Sequence, residues 1–361
     1  MRLYLKDIVD SVNFNTLPKE WTDFDFVSFS SKKKLFDFQQ DALKNAVKGL
    51  YKFYKDCKAD KQEFLKLYTD NGLIQDEFGI EMDRDKMKIF QDFINYYSIE
   101  DNKIRFEKFI NRMSFWMATG SGKTLVIVKL IEILAKLIKD GQIPKNDILF
   151  LTYREDLIEQ FKRHIDEFNS SSRGIRINLK DLKDYESVKR ENRIKFSDEI
   201  DVFYYRSDLI SDEQKEKFVN FKNYDNDGKW FIFLDEAHKG DKQESKRQLY
   251  YIILSRNGFL FNFSATFVDE IDFVTCVFNF NLEKFIQAGY GKHIYISQSD
   301  IEGLGMDQEF DKDTKKIIIL KLFILYTLIK KSKPDNYYHK PLILTLVNSV
   351  NTEDSDLELF F

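Results

Sequence analysis

The chain has 361 residues, enough for one large domain with appendages and a sizeable buried core. Charged residues make up 32% and hydrophobic ones 43%, the balance of a soluble globular protein. The net charge of −4 excludes a global positive field, so any nucleic acid must be met at a local groove.

Cys57 and Cys276 are the only cysteines and lie far apart, which suits a reducing cytosol without structural disulfides; no zinc-ligand spacing surrounds them or the 4 histidines. The start, Met1-Arg2-Leu3-Tyr4-Leu5-Lys6-Asp7, is charged where a signal peptide needs an apolar run. The most lipid-like stretch, Ile317 to Ile329, is interrupted by Lys321 and too short to span a bilayer. A cytoplasmic protein without a membrane partner is the expectation.

Residues 1–34 read as an irregular or small β lead-in. From Phe36 to Tyr54 the apolar residues Phe38, Ala42, Leu43, Ala46, Val47 and Leu50 recur at helical spacing. Residues 55–112 are charged and aromatic with helical periodicity and read as a helical insertion packed on the main domain. Beyond 113, short apolar runs alternate with amphipathic stretches. The predicted strands are Ser114–Met117, Ile148–Thr152, Val202–Tyr205, Trp230–Leu234, Phe259–Phe263 and His293–Ile296. The predicted helices are Thr124–Lys139, Glu155–Phe168, Asp212–Phe221, Ser245–Ser255 and Leu282–Ala288. That alternation predicts an α/β domain with a central parallel sheet flanked by helices, whose ligands sit beyond the C-terminal strand ends. A long apolar helix, about Thr314 to Lys330, precedes a Pro-containing linker at 331–336 and a last strand, Pro341–Val347.

Three short strings stand at those strand ends. Ala118-Thr119-Gly120-Ser121-Gly122-Lys123-Thr124 follows an apolar strand and opens a strong helix. A phosphate loop needs inward backbone N–H groups from Gly120 and Gly122, the Lys123 charge on the β and γ phosphates and the Thr124 hydroxyl on Mg²⁺. The strict pattern has glycine where this chain has Met117, and a chance Gly-Ser turn is the alternative. Asp235 closes a strand, where a carboxylate can hold Mg²⁺ through water, and Glu236 beside it can activate the water that attacks the γ-phosphate. The alternative is an ordinary acidic strand end with a surface His238. Ser264-Ala265-Thr266 ends the next strand along the chain, where the hydroxyls of Ser264 and Thr266 can hydrogen-bond His238 and report γ-phosphate loss; a plain strand-to-loop turn is the alternative.

With these motifs the chain, over roughly residues 35 to 361, resembles a superfamily 2 (DEAH-type) helicase, and specifically the motor subunit of type III restriction enzymes. The resemblance includes Phe38-Gln39-Gln40-Asp41-Ala42-Leu43, similar to the family's glutamine motif, with Gln39 as the adenine-contacting amide or else a glutamine on an amphipathic face. It includes Arg154, Leu157 and Gln160, whose spacing resembles a motif that grips the strand backbone, or equally a solvated helix start. Trp116-Met117-Ala118-Thr119-Gly120, Asp201-Val202-Phe203-Tyr204-Tyr205-Arg206 and His238-Lys239-Gly240 look closest to type III motors. Arg206 is then a second strand contact, unless that segment is a packed aromatic strand end.

The resemblance implies a RecA-like P-loop domain at 35–330 and, at 331–361, a linker and the first strand of a second RecA-like domain. It implies ATP and Mg²⁺ as cofactors, double-stranded DNA as the track and a modification (methyltransferase) subunit as partner. The glutamine–glycine–arginine motif of a second domain does not appear after Val347, so the chain reads as a truncated motor, binding nucleotide with little turnover. The competing readings are a catalytically silent nucleotide-binding module and an RNA helicase domain.

Overall fold

The computed structural model describes residues 2–74, 78–97, 99–100, 102–171, 174–190, 198–212, 218–236, 244–267, 269–291 and 312–332. Residues 1–292 form one compact unit and 293–361 a second. The expected strands His293–Ile296 and Pro341–Val347 lie outside the described residues.

The chain opens with helix α1, Tyr4–Asp10, which buries Leu5, Ile8 and Val9. This corrects the lead-in expectation: between residues 2 and 34 the described β structure is a single bridge between Ser28 and Lys34. Helix α2, Asp37–Tyr51, buries Phe38, Ala42, Leu43, Ala46, Val47 and Leu50, the stripe its sequence spacing demands. Between 55 and 112 stand α3, Lys61–Asp70, and α4, Arg84–Phe90, each opened by an aspartate that accepts first-turn N–H groups. The stretch is not purely helical. It also holds a three-stranded antiparallel sheet of β1, Gly79–Glu81, β2, Ile99–Glu100, and β3, Lys103–Arg105. Strands of two or three residues are too short for their alternation to register against the helical background.

The main sheet has seven strands: β4 Arg112–Met117, β5 Asp147–Thr152, β6 Arg176–Asp181, β7 Glu199–Arg206 and, after a two-stranded ladder of β8 Ile210–Ser211 and β9 Val219–Asn220, β10 Trp230–Asp235, β11 Phe259–Ser264 and β12 Cys276–Phe280. Their order is β12-β4-β11-β10-β5-β7-β6, and every neighbouring pair is parallel. The fold is therefore an α/β domain with a central parallel sheet, consistent with a RecA-like P-loop domain. All six residues of β10 and of β11 are buried, as central parallel strands require. The crossovers are α5 Lys123–Lys139, α6 Glu155–Ser171, α7 Tyr185–Arg190, α8 Glu244–Leu254 and α9 Glu270–Val274, followed by α10 Leu282–Gln287. On α6 only the stripe Ile158, Phe161, Ile165 and Phe168 is buried, and Phe161 stacks on Phe150 of β5 at 3.8 Å. Helix α5 is buried nearly all round, because the sheet lies on one side and α2 and α6 on the others.

The helix expected over Asp212–Phe221 is absent from the described part of that stretch. Val219–Asn220 pairs with Ile210–Ser211 instead, and Phe221–Tyr224 is a single 3₁₀ turn. In the second unit α11, Lys312–Ser332, is a continuous helix with Ile317, Leu320, Phe323, Ile324 and Leu328 exposed. No described helix is long and apolar enough to cross a membrane.

Candidate nucleotide site

Parallel strands deliver their C-terminal ends to one edge, and the strand order decides which loops become neighbours there. Adjacent strands β4, β11 and β10 carry the 118–124 loop, the 264–266 segment and the 235–236 pair. The three strings of the sequence therefore meet.

Beyond β4 the chain turns on two left-handed glycines, Gly120 (φ +81°) and Gly122 (φ +79°), and enters α5 at Lys123. The backbone angle favours glycine, and a Cβ at Gly122 would stand 2.4 Å from Gln39 Nε2, so a side chain there must push the Gln39 amide aside. Gln39, buried on the first turn of α2, accepts from the Phe36 backbone N–H at 2.9 Å and donates to the Ser121 carbonyl at 2.8 Å. Its amide thus ties the start of α2 to the loop. Thr119 and Gly120 are exposed, while Ser121, Lys123 and Thr124 are buried.

Lys123 Nζ lies 2.7 Å from Glu236 Oε1 and donates to the Met117 carbonyl at 3.3 Å. Asp235 is buried at the end of β10. Burial pushes its carboxyl up to about 7, with Lys123 and the Thr124 hydroxyl pulling the other way. Asp235 Oδ1 and Ser121 Oγ have no protein hydrogen-bond partner despite being buried. Glu236 sits at φ +48°, a left-handed angle that a glutamate adopts at a cost of about 1–2 kcal/mol. Its backbone N–H donates to the Phe263 carbonyl at 3.0 Å, and its carboxylate accepts from Ala265 N–H at 3.1 Å and Ser264 Oγ at 3.3 Å. The Ser264 hydroxyl also reaches the Thr266 carbonyl at 2.8 Å. The bond from the 264–266 segment to the acidic pair therefore runs to Glu236; His238 lies outside the described residues. Thr266 itself is exposed.

Along the same edge, β5 and β7 end beside each other, with Thr152 and Arg206 in register. Arg154 follows β5 and forks onto Asp156, with Nε to Oδ1 at 2.9 Å. Arg206 closes β7 and forks onto Asp208 at 3.1 and 2.7 Å. Both arginines are thus paired with an aspartate two residues on, and Gln160 is half-buried on α6. The sequence placed Trp116 in the string resembling type III motors but gave it no role; its indole N–H donates to the Ala265 carbonyl at 3.0 Å.

A buried carboxylate oxygen without a protein partner beside a threonine hydroxyl fits a hard divalent cation that takes its other ligands from phosphate and water. Loop, lysine and acidic pair together suit binding a nucleoside triphosphate. No curated protein and no solved structure matches the chain. A family model described as the type III restriction enzyme res subunit matches residues 32–269, and the chain belongs to that family, whose shared part is a helicase-like ATPase motor domain.

Proposed function

We propose that the chain is the ATP-dependent motor of a type III restriction system, a DEAH-type superfamily 2 translocase that moves on duplex DNA beside a modification subunit. Lys123 holds the β and γ phosphates against the N–H groups of residues 119–124. Thr124 and Asp235 hold Mg²⁺, which when bound neutralises charge on the transferring phosphoryl group. Glu236 orients and deprotonates the attacking water. Gln39 fixes the loop, and the second N–H and second lone pair of its amide remain for an adenine edge. Ser264 and Thr266 couple nucleotide state to the track, with His238 as a further member. Arg154, Gln160 and Arg206 contact the DNA backbone.

The observation that carries this reading is the shared edge. The nucleotide residues end β4, β11 and β10, and the two arginine-bearing ends follow on β5 and β7, so the acidic pair on β10 is one strand from Arg154 and two from Arg206. The test is a salt titration of duplex DNA binding by wild type and the double variant Arg154→Ala/Arg206→Ala. Losing two phosphate contacts should lower the slope of log K against log salt by about 2 and leave ADP affinity unchanged. An unchanged slope contradicts the assignment, and tighter binding of RNA than of duplex DNA selects an RNA helicase instead.

A further inference from the structure

Trp116 stands on β4 directly opposite Ser264 of β11, one residue before the strand runs into the phosphate loop. Its ring is gripped by Phe273, edge-on at 5.2 Å, and by Phe267 at 5.5 Å, and those two pack on each other at 5.6 Å. The indole N–H is aimed at the Ala265 carbonyl, 3.0 Å away. The amide nitrogen of the same residue points the other way, to Glu236 Oε1 at 3.1 Å, and that oxygen lies 2.7 Å from Lys123 Nζ. Trp116 and Lys123 belong to one continuous segment of chain, so the contacts close a ring: Lys123, Glu236, Ala265, Trp116 and back along the phosphate loop.

One competition lies inside that ring. Lys123 has Glu236 as its carboxylate partner, yet a γ-phosphate needs the same ammonium. Glu236 gives up the lysine more easily if another donor already holds it, and the residue 265 N–H is that donor. That N–H stays aimed at Glu236 only while residue 265 keeps its backbone angles, and the carbonyl of the next peptide unit, on the other side of its Cα, is held by the Trp116 indole. We propose that Trp116 is a positioning residue for γ-phosphate recognition: by holding the Ala265 carbonyl it fixes the backbone angles at residue 265, so that the N–H of that residue holds Glu236 and Glu236 yields Lys123 to the incoming triphosphate. This rests on reading the site as an ATP site, and it assigns a role that the three sequence motifs do not carry.

The experiment uses the full chain and calorimetric titration with Mg²⁺ plus either ADP or a non-hydrolysable ATP analogue. In Trp116→Phe the ring remains and the N–H is lost. ADP affinity should stay within about two-fold of wild type while analogue affinity falls about five-fold, the size of one neutral hydrogen bond. Phe273→Ala loosens the ring but keeps the N–H, and should leave the ratio of the two affinities unchanged. A wild-type ratio in Trp116→Phe, or an equal loss in both variants, overturns the proposal while the ATP-site reading stands. Wild-type fluorescence supplies a second test that needs no variant. Trp21 and Trp230 are fully buried, so the half-exposed Trp116 should shift emission with the analogue and not with ADP. Identical spectra overturn the proposal. Failure of wild type to bind either nucleotide contradicts the ATP-site reading, and this inference falls with it.

Discussion

The two ends of the main sheet use the same residue types to opposite effect. At the N-terminal end, Lys61 is half-buried and donates to the carbonyls of Lys108 at 2.8 Å and Arg256 at 3.0 Å. The Arg256 guanidinium forks onto Asp225, donates to the Ile253 carbonyl at 2.9 Å and lies 4.6 Å over the Tyr96 ring. Asp147 accepts from Tyr185, Asn226 and Lys189. Charges there bind distant segments to each other, with the Nε atoms of Arg112 and Arg256 left over. At the C-terminal end, Asp235 and Ser121 keep buried oxygens without protein partners, Glu236 is held in a left-handed conformation, and Lys123 is shared. Left-handed residues occur at both ends, as Asn226, Asp227 and Glu236 show, but the unpartnered buried atoms at the phosphate loop and acidic pair are oxygens able to meet a ligand, while charge at the other end fastens the fold.

A crossed pair of substitutions separates the ends most sharply. Asp225→Ala leaves the buried Arg256 guanidinium with only the longer Asp227 contact, at 3.5 Å, and should lower stability by about 2 kcal/mol in denaturant titration, with nucleotide affinity unchanged in the folded protein. Lys123→Ala should leave stability within about 0.5 kcal/mol and weaken ATP binding about a hundred-fold, because a charge-assisted contact is removed. Similar effects of the two substitutions on both quantities would erase the distinction.

Gly122→Ala comes next. It should cost about 1–2 kcal/mol, since the left-handed angle disfavours a side chain, and it should weaken nucleotide binding because its Cβ displaces Gln39 from the Ser121 carbonyl. Nucleotide titration and thermal unfolding of the same sample read both losses.

A pH dependence belongs to the N-terminal end. Burial pulls Lys61 from 10.5 down to about 7, so between those values the folded chain holds fewer protons there than the unfolded one. Its contribution is full above 10.5 and is lost as pH falls through about 7. The stability difference between wild type and Lys61→Met should therefore grow in favour of wild type from pH 7 to pH 10. A difference that shrinks as pH rises would contradict the buried state of this amine.

The functional end was the more legible in the sequence. Glycines, Lys123 and the acidic pair are dictated by phosphate chemistry, and apolar runs such as Trp230–Leu234 mark central strands that must be buried on both faces. The edge strands were harder. Arg176–Asp181 carries charge at three of its six positions, the usual protection of an edge, and reads as loop. Cys276–Phe280, at the other edge, follows a five-residue helix too short to announce a crossover. The N-terminal fastenings were invisible because they are pairings between distant segments: nothing in the neighbourhood of Lys61 points to Arg256, or of Asp225 to an arginine 31 residues on. The role of Trp116 was hidden for the same reason, since its partner is a backbone carbonyl just past the end of β11.

The central claim is that nucleotide state at β4, β11 and β10 reaches the arginines beyond β5 and β7. Coupling of this kind is reciprocal, so it appears as a nucleotide-dependent affinity for the track. The decisive measurement is duplex DNA affinity with and without Mg²⁺ and a non-hydrolysable ATP analogue, in wild type and Lys123→Ala. The expected result is a change of about five-fold or more in wild type and none in the variant. Equal DNA affinity with and without nucleotide in wild type would contradict the coupling, and with it the reading of this chain as a motor.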